Sequence, residues 1–234
     1  MRALLFDLDG TLTKGGGAGS RALAKALHTR EGPLAELRKM RLDGMTDRGI
    51  ARTLLAVEQG DPALPLPERA RLVTEQQIDD VLSVYLTALE SECIERAYLP
   101  QPGIPRLIER LQAQSSVLLG LCTGNLEKGA ELKLRSAGLW GPWRFGGYGS
   151  DAEPRPEIVR AAWSRAQTLG ATEGLVIGDT PRDITAAHAA GLPALAVATG
   201  RFSVHELLEN GADLIAESFA DLAAAEALLL GPLR

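Results

Sequence analysis

Two carboxylates stand two residues apart in the run Phe6-Asp7-Leu8-Asp9-Gly10-Thr11, directly after an apolar stretch. On an extended strand such residues point the same way, and Gly10 lets the chain turn sharply after them. Like charges this close need a cation or a proton between them, and oxygen-only donors suit magnesium. Three further places carry chemistry. In Cys122-Thr123-Gly124-Asn125, a hydroxyl, a glycine amide and an amide side chain at a helix start make an anion cradle. The same residues serve equally as an ordinary helix N-cap, and the two roles are compatible. Arg155, in Glu153-Pro154-Arg155-Pro156-Glu157, is either a fixed cation for a phosphoryl group and the paired carboxylates or a surface arginine between prolines. Asp179 and Asp183, in Gly178-Asp179-Thr180-Pro181-Arg182-Asp183, can bind a metal directly and through a water. Asp183 also reads as a first-turn acid that complements a helix dipole.

These four places need a common scaffold. Short apolar runs at 3–8, 117–122, 175–178 and 194–198, with a weaker one at 213–216, are bounded by Gly, Pro or Asp. They fit strands buried on both faces. Between them Ile104, Leu107, Ile108 and Leu111 share one helical face after Pro102-Gly103, and Pro156 opens a second stripe through Ile158, Val159, Ala162 and Trp163. Strands alternating with helices predict an α/β fold, a Rossmann-like parallel sheet that binds ligands beyond its strand ends. All four chemical positions follow apolar strands or open helices at that edge. Residues 14–94 break the alternation. After the glycine run Lys14 to Gly19, which reads as a hinge or an ordinary loop, helical patterns cover 22–28, 34–40, 48–57 and 67 to about 97. The expected organisation is a core of residues 1–13 and 95–234 with an all-helical insert at 14–94.

In order and strand-end context, the four motifs resemble the haloacid dehalogenase superfamily, specifically its phosphatase branch. That resemblance implies roles. Asp7 would attack phosphorus and bind magnesium. Asp9 would protonate the leaving alcohol and then activate water, with its main-chain carbonyl on the metal, so it must carry a proton for the first step. Thr123 and Gly124, with Asn125, would hold the phosphate, and Asp179 would complete the metal site with Asp183 in support. The third motif of that family usually supplies a lysine, and here the position reads Arg155, with Lys128 as a rival. A carboxylate at Asp9 points to phosphate esters, because the dehalogenases and phosphonate hydrolases of the superfamily lack one there.

The insert resembles the family's helical cap, which closes over the site and excludes water. Substrate selection is expected from 42–49, with Gly44 in a turn that reaches the site and Thr46 and Arg48 near the leaving group. Arg48 reads equally as a solvated helix-start residue. This pattern looks most like phosphoglycolate-phosphatase-type enzymes. The expected function is therefore magnesium-dependent hydrolysis of a small phosphorylated metabolite. A sugar phosphomutase uses the same residues and stays open as an alternative, as does a non-catalytic binding protein.

Composition agrees with an enzyme of this kind. With 234 residues, 45% hydrophobic and 24% charged, the chain can bury a substantial core. A net charge of −5 argues against a broad nucleic-acid footprint. No apolar run approaches the roughly 18 residues of a membrane span. Cys93 and Cys122 have no metal spacing and read as reduced thiols, so the cytoplasm is the expected location. His28, His188 and His205 also lack metal spacing, and Trp140, Trp143, Phe145 and Tyr148 read as packing. Nothing in the pattern points to a particular oligomeric state.

Overall fold

The structure, a computed structural model, describes residues 1–27 and 42–233. The expected helical stretch at 34–40 lies outside the described residues. Six parallel strands form one sheet: β1 (Arg2–Phe6), β4 (Val117–Cys122), β5 (Phe145–Gly147), β6 (Glu173–Gly178), β7 (Ala194–Val197) and β8 (Leu214–Ala216). Their order is β5-β4-β1-β6-β7-β8, so the strand that leads to Asp7 lies inside the sheet. Phe6 pairs with Leu121 on one side and Ile177 on the other. This register brings the ends of β1, β4 and β6 to one edge.

Strand alternation divides the interior. Leu4 and Phe6 face one core layer, and Ala3 and Leu5 face the other. The first layer receives α5 (Ile104–Gln112), α6 (Glu127–Ser136) and α10 (Leu222–Leu230). The second receives α7 (Arg155–Thr168), α8 (Pro181–Ala189) and α9 (Val204–Glu209). The result is an α/β doubly covered parallel sheet, as the apolar runs predicted. Sequence reading missed β5, which is short and glycine-rich and so lacks a clear apolar run.

Among the described residues, four helices stand between two short antiparallel strands, β2 (Thr13–Lys14) and β3 (Leu99–Pro100). They are α1 (Ala18–Ala26), α2 (Asp47–Gln59), α3 (Leu66–Leu72) and α4 (Glu75–Glu95). The stretch expected as one helix from 67 to about 97 is two helices. Thr74 breaks it: its side chain accepts from Gln77 N at 3.3 Å, and Gln77 Oε1 accepts from Thr74 N at 2.9 Å. This reciprocal cap restarts the chain as a new helix. The helical unit has its own apolar cluster. Ala22, Leu54, Ile78, Leu82 and Leu89 pack together, with Leu126 of the core at its edge. Among the described residues no helix is long and apolar enough to cross a membrane.

Candidate active site

Asp7 is the first residue beyond β1, and its N–H donates to Ile177 O at 2.8 Å. That bond fixes the backbone against β6, and the residue as a whole is 4% exposed. Arg155, in the first turn of α7, places Nη2 2.8 Å from Asp7 Oδ1 and also bonds Asp183 Oδ1. Burial works against the arginine charge, but Asp183 and Asp7 beside it raise its pKa. The guanidinium is therefore a permanent cation at the centre of the site, not a surface group.

Asp7, Asp179 and Asp183 each offer a carboxylate oxygen, and these oxygens lie within 4.8 Å of one another. Thr11 Oγ1 donates to Asp179 Oδ1 at 3.1 Å. Asp183 Oδ2 accepts from Thr180 N and Thr180 Oγ1 at 3.0 and 2.8 Å. Asp183 thus caps its helix and faces the cluster at once. Burial pushes the Asp7 carboxyl up to about 6; Arg155 opposes this, and Asp183 and Asp9 add to it. Burial, with Asp7 and Asp183, raises Asp179 well above the carboxylate range. Three buried acids that repel one another, offering oxygen alone, fit a hard divalent cation.

The backbone leaves room for the Asp179 carboxylate only because two positions lack side chains. A β-carbon on Gly10 would lie 2.2 Å from Asp179 Oδ2, and one on Gly200 would lie 1.7 Å away. Gly10 also has φ +89°, where other residues are strained. Its carbonyl accepts from Thr199 Oγ1 at 2.7 Å and Gln101 Nε2 at 3.0 Å.

A second set surrounds Asp9. Its Oδ2 accepts from Asn125 Nδ2 at 2.8 Å and from Lys133 Nζ at 2.6 Å. Lys133 also donates to Asn125 Oδ1. Burial lowers the lysine's proton affinity, but Asp9 and its neighbours more than reverse that. Asn125 Nδ2 reaches Thr123 Oγ1 at 2.8 Å as well. The Asn125 side chain is thus engaged within the protein, tying Asp9 to the phosphate-loop threonine.

Asp7, Asp9, Thr123, Gly124, Asn125, Arg155, Asp179 and Gly44 line one cavity of about 370 Å³, with Asp183 buried behind it. Gly44 has φ +71°, and its carbonyl accepts from Arg155 Nη1 at 3.2 Å. Two expected cap residues do not reach this cavity. Thr46 caps α2, accepting from Gly49 N at 3.1 Å. Arg48 turns outward to Glu75 and to Asp79, the latter at 2.7 Å. Lys128, the rival to Arg155, is also outside: it is 57% exposed and pairs with Glu131.

Sequence reading missed Lys133, Tyr85 and Tyr98, all on the cavity wall, and included Asp47, also on that wall, only as part of 42–49 without singling it out. Lys133 did leave a signal. It falls on the same helical stripe as Leu126, Ala130, Leu134 and Ala137, where a lone charge is out of place. Asp47 left none, because its role depends on the long-range fit of cap to core. Its N–H donates to Gly124 O at 2.8 Å, and its Oδ2 accepts from Leu126 N at 2.9 Å. Arg52 joins Glu153 at 3.0 Å nearby. The helical unit is closed on the core through these contacts.

Comparison with known proteins identifies the family. The haloacid dehalogenase-like hydrolase family matches residues 1–191. A phosphoglycolate phosphatase of Rhodospirillum rubrum is 30% identical over 232 residues, covering 94% of this chain and 89% of its own. One from Caulobacter vibrioides is 30% identical over 225 residues, covering 94% and 88%. Among solved structures, CbbY from Rhodobacter sphaeroides in complex with phosphate superposes with a TM-score of 0.68 at 24% identity, over 94% of this chain and 95% of that one. The chain belongs to the haloacid dehalogenase-like hydrolase family and, within it, to the phosphatase branch.

Proposed function

We propose that this protein is a magnesium-dependent phosphatase of small phosphorylated metabolites, acting in the cytoplasm through a phosphorylated Asp7. The observation that carries this reading is the placement of Asp7: a buried carboxylate beyond an interior strand, bonded to Arg155, grouped with Asp179 and Asp183, and open to a cavity. The two phosphoglycolate phosphatases at 30% identity support a small phosphorylated substrate.

Asp7, Asp179 and the main-chain carbonyl of Asp9 would hold magnesium, with Asp183 in support. When bound, the ion supplies positive charge that offsets the phosphate and the clustered acids. Arg155 adds a fixed charge bonded to Asp7 and Asp183. The Thr123 hydroxyl and the Gly124 amide would orient the phosphate oxygens. An Asp7 carboxylate oxygen forms the new bond to phosphorus, and the bond from phosphorus to the ester oxygen breaks in line. Asp9 passes a proton to the departing alcohol oxygen. Its two donors both take Oδ2, which leaves Oδ1 to carry that proton. Asp9 then accepts a proton from water, the water oxygen bonds phosphorus, and inorganic phosphate leaves with Asp7 restored.

The test is phosphate release from an aryl phosphate and from a panel of phosphorylated metabolites, with and without chelator. Activity should require magnesium and vanish in Asp7→Asn. Undiminished activity in Asp7→Asn would remove the nucleophile assignment. Interconversion of sugar phosphate isomers with no phosphate released would favour the phosphomutase reading.

A further inference from the structure

Three polar tips converge on a glycine where the cavity meets the helical unit. A β-carbon built on Gly19, in the first turn of α1, would lie 3.6 Å from Tyr98 Oη, 3.8 Å from Lys133 Nζ and 3.9 Å from Tyr85 Oη. These are ordinary contact distances, so the space above Gly19 has the size of a small ligand atom bounded by polar groups. The same cavity contains Asp7 and Asp9. Lys133 touches Asp9 at 2.6 Å, so this corner lies within one side chain of the group that would serve the leaving oxygen. Tyr98 is fixed in place: its ring packs against Gly15, and its N–H donates to Ser136 Oγ at 3.0 Å.

We propose that the corner over Gly19 is the subsite for the leaving group, and that it selects a neutral, hydroxyl-bearing alcohol over one carrying a carboxylate. The proposal rests on the phosphatase reading above and adds what the relatives' names do not give. An ammonium has three protons, and Asp9 and Asn125 accept two from Lys133. The remaining one and the Tyr98 phenol are donors, while the Tyr85 hydroxyl donates to Asp47. Burial pushes Tyr98 up to about 12 and Tyr85 well above its usual value, so both stay protonated. Asp47, on the same wall, supplies an acceptor. A hydroxyl both accepts and donates and satisfies this mixture.

A carboxylate does not. Among the described residues the cations lining the cavity are Lys133, Arg155 and Arg201. Each is already paired: Lys133 with Asp9, Arg155 with Asp7 and Asp183, and Arg201 with Asp43 at 3.3 Å. In the corner itself the one ammonium is already paired with Asp9 and faces Asp47 as well. A further carboxylate would find no unpaired cation there and would lie beside Asp47, a device that rejects the wrong partner.

The experiment compares a pentose monophosphate with phosphoglycolate. On wild-type protein with magnesium, kcat/KM should favour the pentose monophosphate by about tenfold or more. Gly19→Ala fills the corner without a clash and suits a helix, so the fold is kept. It and Tyr98→Phe should each lower that preference by roughly tenfold. Asp47→Asn keeps an acceptor for Leu126 N but removes the charge, and should raise kcat/KM for phosphoglycolate several-fold. In parallel, titration calorimetry on Asp7→Asn, which cannot react, should show the pentose monophosphate binding more weakly once Gly19→Ala is added. Wild-type preference for phosphoglycolate, or a preference unmoved by these changes, overturns the proposal. Wild-type protein that binds the pentose monophosphate as expected but releases phosphate from nothing supports the subsite and overturns the phosphatase reading instead.

Discussion

Lys133 Nζ lies 2.6 Å from Asp9 Oδ2, and both groups are bonded to the same Asn125 side chain. The lysine side chain is 5% exposed and the aspartate 44%. The helix after the phosphate loop therefore sends a buried cation back to hold the half-buried acid beside the nucleophile. Lys133→Met fills a similar volume, and Asp9 can then hydrate. Stability should change by no more than about 1 kcal/mol. Because Asp9 loses its anchor, kcat should fall about a hundredfold with KM little changed. Steady-state kinetics and urea unfolding on the same preparation check both parts. A matching loss of stability would make Lys133 a structural residue only.

Arg155 gives a second contrast. It bonds Asp7, Asp183 and the Gly44 carbonyl at once, which a single ammonium cannot do. Arg155→Lys should keep the charge and lose about ten- to thirtyfold in kcat/KM. Arg155→Met should lose about a thousandfold. It should also destabilise the fold by about 3 kcal/mol or more, since two buried acids are left uncompensated. Equal losses in the two variants would show that charge alone does not explain the residue.

Much of this site was legible in the sequence because strand-end chemistry is local. Asp7, Asp179 and the Thr123-Gly124 turn each follow an apolar run that ends at the same sheet edge, and register in a parallel sheet does the rest. The cap was legible as helices but not as contacts. Thr46 and Arg48 lie close in sequence to Asp47, yet only Asp47 lines the cavity. Which side chain of one helical turn faces inward depends on how that turn seats on Gly124, and neither periodicity nor composition encodes this. Lys133 lies between these cases: its misplaced charge on an apolar stripe was visible, but its partner Asp9 was 124 residues away.

Gly200 should prove as sensitive as any acid in the site. A β-carbon there would sit 1.7 Å from Asp179 Oδ2, too close to be absorbed without moving the carboxylate. Gly200→Ala should raise the magnesium concentration needed for half-maximal activity by about tenfold or more, while circular dichroism stays unchanged. Gly16, where a β-carbon would meet no atom within 4 Å, serves as the comparison. Gly16→Ala should leave the magnesium requirement as it is. An unaltered requirement in Gly200→Ala would remove Asp179 from the metal site.

The metal-free protein should lose stability as pH rises through the mildly acidic range. Burial pushes Asp7 up to about 6 from the ordinary 3.8, and burial does the same to Asp47. A carboxyl whose folded pKa exceeds its unfolded one binds more protons when folded. Its contribution is therefore fully present below 3.8 and is lost as pH rises to about 6 and beyond. For Asp7 the loss is worth up to about 3 kcal/mol. The carboxylates held low by partners, such as Glu75, Glu92 and Asp151, act in the opposite sense, but only below their usual values. Urea midpoints of chelator-treated protein from about pH 4.5 to 6.5 should thus decline, and Asp7→Asn should flatten the decline. Magnesium binds the ionised acids, so adding it should raise the midpoint more at about pH 7.5 than at about pH 5. A wild-type profile that rises across the window in parallel with Asp7→Asn would mean that Asp7 ionises in the fold at no cost, and the strain that magnesium is expected to relieve would not be there.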